Sequence, residues 1–226
     1  MQDYDRGMLE AFIKDNADEK YRKFHTRLTK SKYELNGIPI PILRKYAKEL
    51  SKCDNLSEFF KEKSWCYECC MLKGLVLSKL KVEDNEFFSL LDGYIAEIDD
   101  WALNDVGCCA IHRKDEMYLL KVKNLSKSDD IWQARWGIVA IMTNFFDKDD
   151  VIRELIDNLV AKDYYVDMAL AWLIQVLCVK NKDMAIELLQ SPKVNESVKK
   201  YAKRKIKDSF RISDEDKEYF CSLANV

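Results

Sequence analysis

Between Pro41 and Pro192 the chain contains no proline, and only Gly74, Gly93, Gly107 and Gly137 interrupt that stretch. A sheet-rich fold needs turn residues at short intervals. So long a run without them excludes such a fold and predicts an all-α protein. With 226 residues the chain can bury a sizeable core. Its 48% apolar and 34% charged residues are the balance of a globular protein, not of a disordered one.

Apolar residues recurring with the helical period predict helices over residues 5–15, 18–32, 40–52, 56–62, 65–80, 84–97, 101–112, 115–126, 130–146, 149–161, 164–180, 182–190, 195–209 and 214–224. Many follow a residue whose side chain suits the orphan amides of a first turn: Asn55, Ser64, Asp100, Asp130, Asp147, Asp163 and Ser213. Aligning these starts exposes a repeat. Trp65, Trp101, Trp132 and Tyr165 stand 36, 31 and 33 residues apart, with two helices in each period. Helix pairs at this period are the signature of an α-solenoid, in which each pair buries its apolar face on the next. Trp65, Trp101, Trp136 and Trp172 are also evenly spaced, but at different depths in their helices, so that spacing carries less. No linker composition divides the chain, and residues 1–226 read as a single domain.

The net charge of -2 argues against coating nucleic acid by bulk positive charge, yet the charge is unevenly spread. Residues 20–48 hold nine Lys/Arg against Glu34, and residues 193–211 hold eight against Glu196 and Asp208. The rest of the chain is strongly acidic. Two basic segments suit a long anion gripped at separated points, or simply solvated helix faces. The N-terminal sequence MQDYDRGMLEAF is acidic and amphipathic, unlike a secretory leader, and no apolar run reaches the length of a membrane span. The eight cysteines therefore point to a reduced cytoplasm. Cys66 and Cys69 form one C-x-x-C, but structural zinc needs a second pair or two histidines, and only His25 and His112 exist. Small apolar fillers between helices account for the cysteines better, and no metal or cofactor is expected.

Three helices carry residues that a plain core would not hold. On the helix predicted over 101–112, one stripe gathers Trp101, Asp105, Cys108, Cys109 and His112. Over 130–146, Arg135 falls in the centre of a stripe of Ile131, Ile138, Val139, Met142 and Phe146. Charges are seldom left in such places unpaired. A structural ion pair between Asp105 and Arg135, or capping of loop carbonyls, would explain them without any function. Trp172 lies in ALAWLIQVLCV, apolar nearly all round except for Gln175, where a tryptophan is ordinarily core.

Taken together, DDWALNDV, DIWQARWG and YYVDMALAWL resemble the DNA alkylation repair family of AlkD-like glycosylases. The segment LNGIPIPILRKYAKEL (residues 35–50) is similar to that family's N-terminal signature, with Pro41 and Arg44 at matching places. The resemblance covers essentially the whole chain. It implies a solenoid of HEAT-like antiparallel helix pairs whose concave groove holds duplex DNA. It further implies hydrolysis of the N-glycosidic bond of N3- or N7-alkylated, cationic purines without base flipping, by a monomer in a bacterial cytoplasm, associated with the nucleoid when on DNA. By the same match Asp105 and Trp101 are catalytic, while Arg135, Trp172, Trp132, Arg44 and Lys45 contact DNA. Family members often carry an Arg one turn after the Trp172 position, where this chain has Gln175.

The chemistry suits these residue types. A cationic purine already leaves readily and needs no general acid, so the difficulty lies in the oxocarbenium character of the sugar. An ionised Asp105 opposes that charge and orients water, as carboxylates do in glycoside hydrolysis. Tryptophan faces attract the same charge through their quadrupoles. Arg135 is suited to clamp a phosphate. The competing reading is a non-catalytic helical-repeat scaffold that binds DNA structures or a protein partner, since fold alone does not decide function.

Overall fold

A computed structural model describes residues 3–160 and 162–223. These form fourteen α-helices: α1 Arg6–Asn16, α2 Glu19–His25, α3 Ile40–Leu50, α4 Leu56–Lys61, α5 Tyr67–Leu77, α6 Asp84–Ile95, α7 Trp101–Ala110, α8 Glu116–Ser126, α9 Ile131–Asn144, α10 Asp149–Asn158, α11 Tyr164–Lys180, α12 Lys182–Gln190, α13 Glu196–Lys207 and α14 Asp214–Leu223. The described residues form no strand, only one isolated bridge between Asp3 and Asp54. Contacts group the chain into two compact units, one ending at Ile111 and one beginning at His112.

In the first unit α5 packs against α3, α6 and α7, and α4 packs against α6. Every residue of α5 is buried, which its sequence YECCMLKGLVL requires, because a helix apolar nearly all round has no face to give to water. Its two charges are satisfied internally. Lys73 Nζ donates to the Glu62 carbonyl and to Glu97 Oε1, both at 2.6 Å. Tyr94 of α6 lies against Gly74 of α5 and Gly107 of α7, where an added Cβ would come within 2.5 and 2.6 Å of its hydroxyl. Glycine is what allows these three helices to approach. The Tyr94 hydroxyl then donates to the Leu103 carbonyl at 2.6 Å.

In the second unit α9, α11 and α13 pack in succession, with α8 on α9, α12 on α11 and α14 on α13. Polar links recur at nearly constant sequence separation. Arg153 donates twice to Glu187 at 2.7 Å, 34 residues on, and Lys182 binds Asp216 at the same separation. Asn181 donates to Asp149 at 2.6 Å across 32 residues, and Lys193 to Asp157 at 2.6 Å across 36. Each exposed ion pair adds little stability, because water and salt screen it. They tie α10 to α12 and α12 to α14 along the second unit.

Several expected boundaries moved. The helix expected over 18–32 stops at His25, because the following segment is bonded elsewhere: Ser31 Oγ and the Lys32 N–H both donate to the Asp99 carboxylate at 2.7 Å. Tyr33 donates to the Glu97 carbonyl at 3.0 Å. Ser64 does not cap α5; Cys66 does, its sulfur accepting the Cys69 N–H. Lys148, not Asp147, occupies the cap position of α10, and Asn55 precedes α4 in a left-handed conformation without a side-chain cap bond. Asp100, Asp130 and Asp163 cap as expected, and Ser213 Oγ accepts the Asp216 N–H.

Candidate active site

The first turn of α7 is tied down on both sides. Asp100, 1% exposed, accepts the Ala102 N–H at 2.9 Å and the Tyr67 hydroxyl at 2.7 Å. Trp101, half-buried, donates its indole N–H to the Leu28 carbonyl at 3.0 Å. That bond fixes the edge of the ring and leaves part of the indole open to solvent. Asp105 follows one turn later, so its Cβ shares a face with that of Trp101. It is the only ionisable carboxylate within α7 and is 8% exposed, between Asn104 and Cys108, which are fully buried. His112, expected on the same stripe, lies beyond the end of α7 and is exposed.

The N-terminal signature is an architectural device built around Glu68, which the sequence reading did not single out. This carboxylate, 1% exposed, accepts the N–H groups of Asn36, Gly37 and Ile38 and the Asn36 side-chain amide, at 2.8–3.3 Å. Gly37 has φ +85°, and a Cβ there would lie 2.3 Å from the Asp18 carbonyl oxygen. The clasp sets the start of α3, where Pro41 sits in the first turn and Arg44 and Lys45 project into solvent. Neither Arg44, Lys45 nor Lys48 forms an ion pair with a described residue. Nearby, His25 packs edge-on against Tyr67 with centroids 5.1 Å apart, and burial lowers its pKa despite the opposing pull of Asp100 and Glu68.

In the second unit the expected residues gather around Tyr165. Asp130 caps α9 by accepting the Trp132 and Gln133 N–H groups at 3.0 and 2.9 Å. The Trp132 ring lies 5.0 Å from that of Tyr165, and the Arg135 guanidinium donates to the Tyr165 carbonyl. Arg135 is only 5% exposed, as its place in an apolar stripe requires. Trp172 lies two turns further along α11 and is half-buried. Gln175 donates to Ser209 Oγ at 3.2 Å. Tyr165 was legible as a repeat marker 33 residues after Trp132, but nothing in its sequence context announced that its backbone would hold Arg135. Among the described residues, no group of three or more His, Cys, Asp and Glu is placed to hold a metal ion, and no helix is long and apolar enough to cross a membrane.

An all-helical chain that places a deep carboxylate beside a tryptophan, and exposes on α3 cations that form no ion pair with a described residue, has features that suit action on DNA. The chain belongs to the DNA alkylation repair enzyme family, whose model matches residues 9–207. Comparison with curated proteins and with solved structures finds no match.

Proposed function

We propose that this protein is a DNA glycosylase that hydrolyses the N-glycosidic bond of N3- or N7-alkylated purines in duplex DNA. The observation that carries this reading is the placement of Asp105 one turn from a half-exposed Trp101 whose indole is pinned to Leu28. When the bond between C1′ and the purine nitrogen breaks, its electron pair neutralises the cationic base, which leaves without protonation. Asp105 opposes the positive charge growing on the sugar and orients the water that attacks C1′, and that water's proton passes to the carboxylate or to solvent. The Trp101 face stabilises the same charge. Arg135, Trp172, Trp132, Arg44 and Lys45 contribute DNA contacts.

We further propose that residues 1–226 form one domain of HEAT-like helix pairs with a concave DNA-binding face. The unbroken family match and the polar links at 32–36-residue separation support this. Contact with sugar and phosphate does not require a flipped base, so recognition rests on the lability of the lesion and the deformability of the duplex. The direct test is release of 7-methylguanine or 3-methyladenine from methylated duplex DNA.

A second reading, a non-catalytic scaffold that binds DNA, is favoured by the depth of Asp105 and Arg135, at 8% and 5% exposure. It predicts duplex binding without base release.

A further inference from the structure

The loop between α13 and α14 exposes one side chain far beyond any other large apolar residue described. Phe210 is 105% exposed, whereas the next, Leu120, is 61%. The loop is nevertheless fixed on both sides of it. Ser209 Oγ accepts from Gln175 Nε2 at 3.2 Å and from the Arg211 N–H at 3.3 Å. Ile212, 5% exposed, anchors the other side. A phenylalanine held outward on a pinned loop is presented to a partner, because nothing in its own unit covers it.

The charge around Phe210 selects the partner. Lys207 and Arg211, three residues before it and next to it in the chain, form no ion pair with any described residue. Of the acids near it in the chain, Asp214 is engaged with Lys217 at 3.0 Å and Asp216 with Lys182 at 2.8 Å, leaving Asp208, Glu215 and Glu218. A protein-docking patch needs contiguous apolar surface, and the chain neighbours of Phe210 are Asp208, Ser209 and Arg211. An isolated aromatic flanked by Lys207 and Arg211 matches nucleic acid instead, where the ring stacks on bases and the cations meet phosphates.

We infer that Phe210 is a DNA wedge, inserting its ring at a base step while Lys207 and Arg211 bind the flanking phosphates. This rests on the DNA-binding reading above and adds to it a residue that deforms the duplex. It also gives Gln175 a role: in place of a cation at that position, its amide holds the loop that carries the wedge.

The test compares wild type, Phe210→Ala and Phe210→Trp on an undamaged duplex, by anisotropy and by permanganate reactivity of unstacked thymines. Wild type and Phe210→Trp should bind alike and render a thymine reactive at an AT-containing step. Phe210→Ala should bind about ten-fold more weakly, lose that reactivity, and keep its melting temperature and the salt dependence of binding. If wild type binds DNA and Phe210→Ala matches it in both affinity and reactivity, the wedge is refuted while the DNA-binding reading stands. Failure of wild type to bind duplex refutes both. Loss of self-association in Phe210→Ala with unchanged DNA binding would assign the ring to a protein contact and overturn the inference.

Discussion

The Trp101 indole N–H donates to the carbonyl of Leu28, 73 residues earlier in the chain, at 3.0 Å. This bond joins the first residue of α7 to the irregular segment after α2, and it orients the aromatic face next to Asp105. Its neighbours reinforce it, since Ser31, Lys32 and Tyr33 all bond to the Glu97–Asp99 stretch that leads into α7.

Trp101→Phe keeps an aromatic ring but removes the donor. One neutral hydrogen bond is worth about 1 kcal/mol, so melting should fall by only about 2–4 °C. Base release should fall much more than duplex affinity. Release at the wild-type rate would show that the orientation of the indole does not matter.

Glu68→Gln tests the clasp on the N-terminal signature. The carboxylate accepts only from N–H donors, and an amide turns one acceptor into a donor facing them. The expected loss is about 2–3 kcal/mol, seen by calorimetry as a melting temperature lower by about 4–12 °C. Gly37→Ala should act in the same direction, because its φ of +85° and the 2.3 Å approach to the Asp18 carbonyl leave no space for a Cβ. A Glu68→Gln protein that melts with wild type would refute the clasp.

His25 gives the stability a pH dependence. Burial lowers its folded pKa below the ordinary value of 6.5. The unfolded chain therefore takes up the proton first as pH falls. Its contribution is complete above about pH 6.5 and is lost progressively as pH drops below that value toward the folded pKa. Melting curves from pH 8 to 5.5 should show a decline that is shallower in His25→Gln. Equal slopes in the two proteins would contradict this assignment.

Binding to undamaged duplex should weaken at least about ten-fold between 50 and 200 mM salt, as expected when only a few phosphates are contacted. Arg44→Ala and Lys45→Ala should each reduce the slope of log K against log salt by about one. Salt-insensitive binding would exclude the phosphate contacts.

The helices were legible in the sequence because their signals are local: apolar spacing, and aspartates at positions 100, 130 and 163 placed to cap. What escaped was non-local. Residues 26–32 read as a continuation of α2, yet they bond to Asp99 and lie next to the carbonyl that holds Trp101. Glu68 looked like one more charge on a helix until Asn36, Gly37 and Ile38 were seen to converge on it. Asp105 and Arg135 stood out because each breaks the chemistry of its own stripe, and Trp101 because it marks the repeat. Tyr165 broke no pattern, since its role toward Arg135 lies in its backbone.

The most direct measurement of the central claim is base release from methylated duplex DNA by wild type and Asp105→Asn, with melting temperatures taken in parallel. The substitution removes the charge and preserves the shape of a side chain that is 8% exposed. The account predicts release by wild type, a fall of roughly 10²-fold or more in Asp105→Asn, and nearly unchanged affinity and melting, the pattern of a group acting in the transition state. The contradicting result is a wild type that binds duplex but releases no base, or an Asp105→Asn protein that still excises and instead loses about 3–5 kcal/mol of stability, as a buried structural charge would.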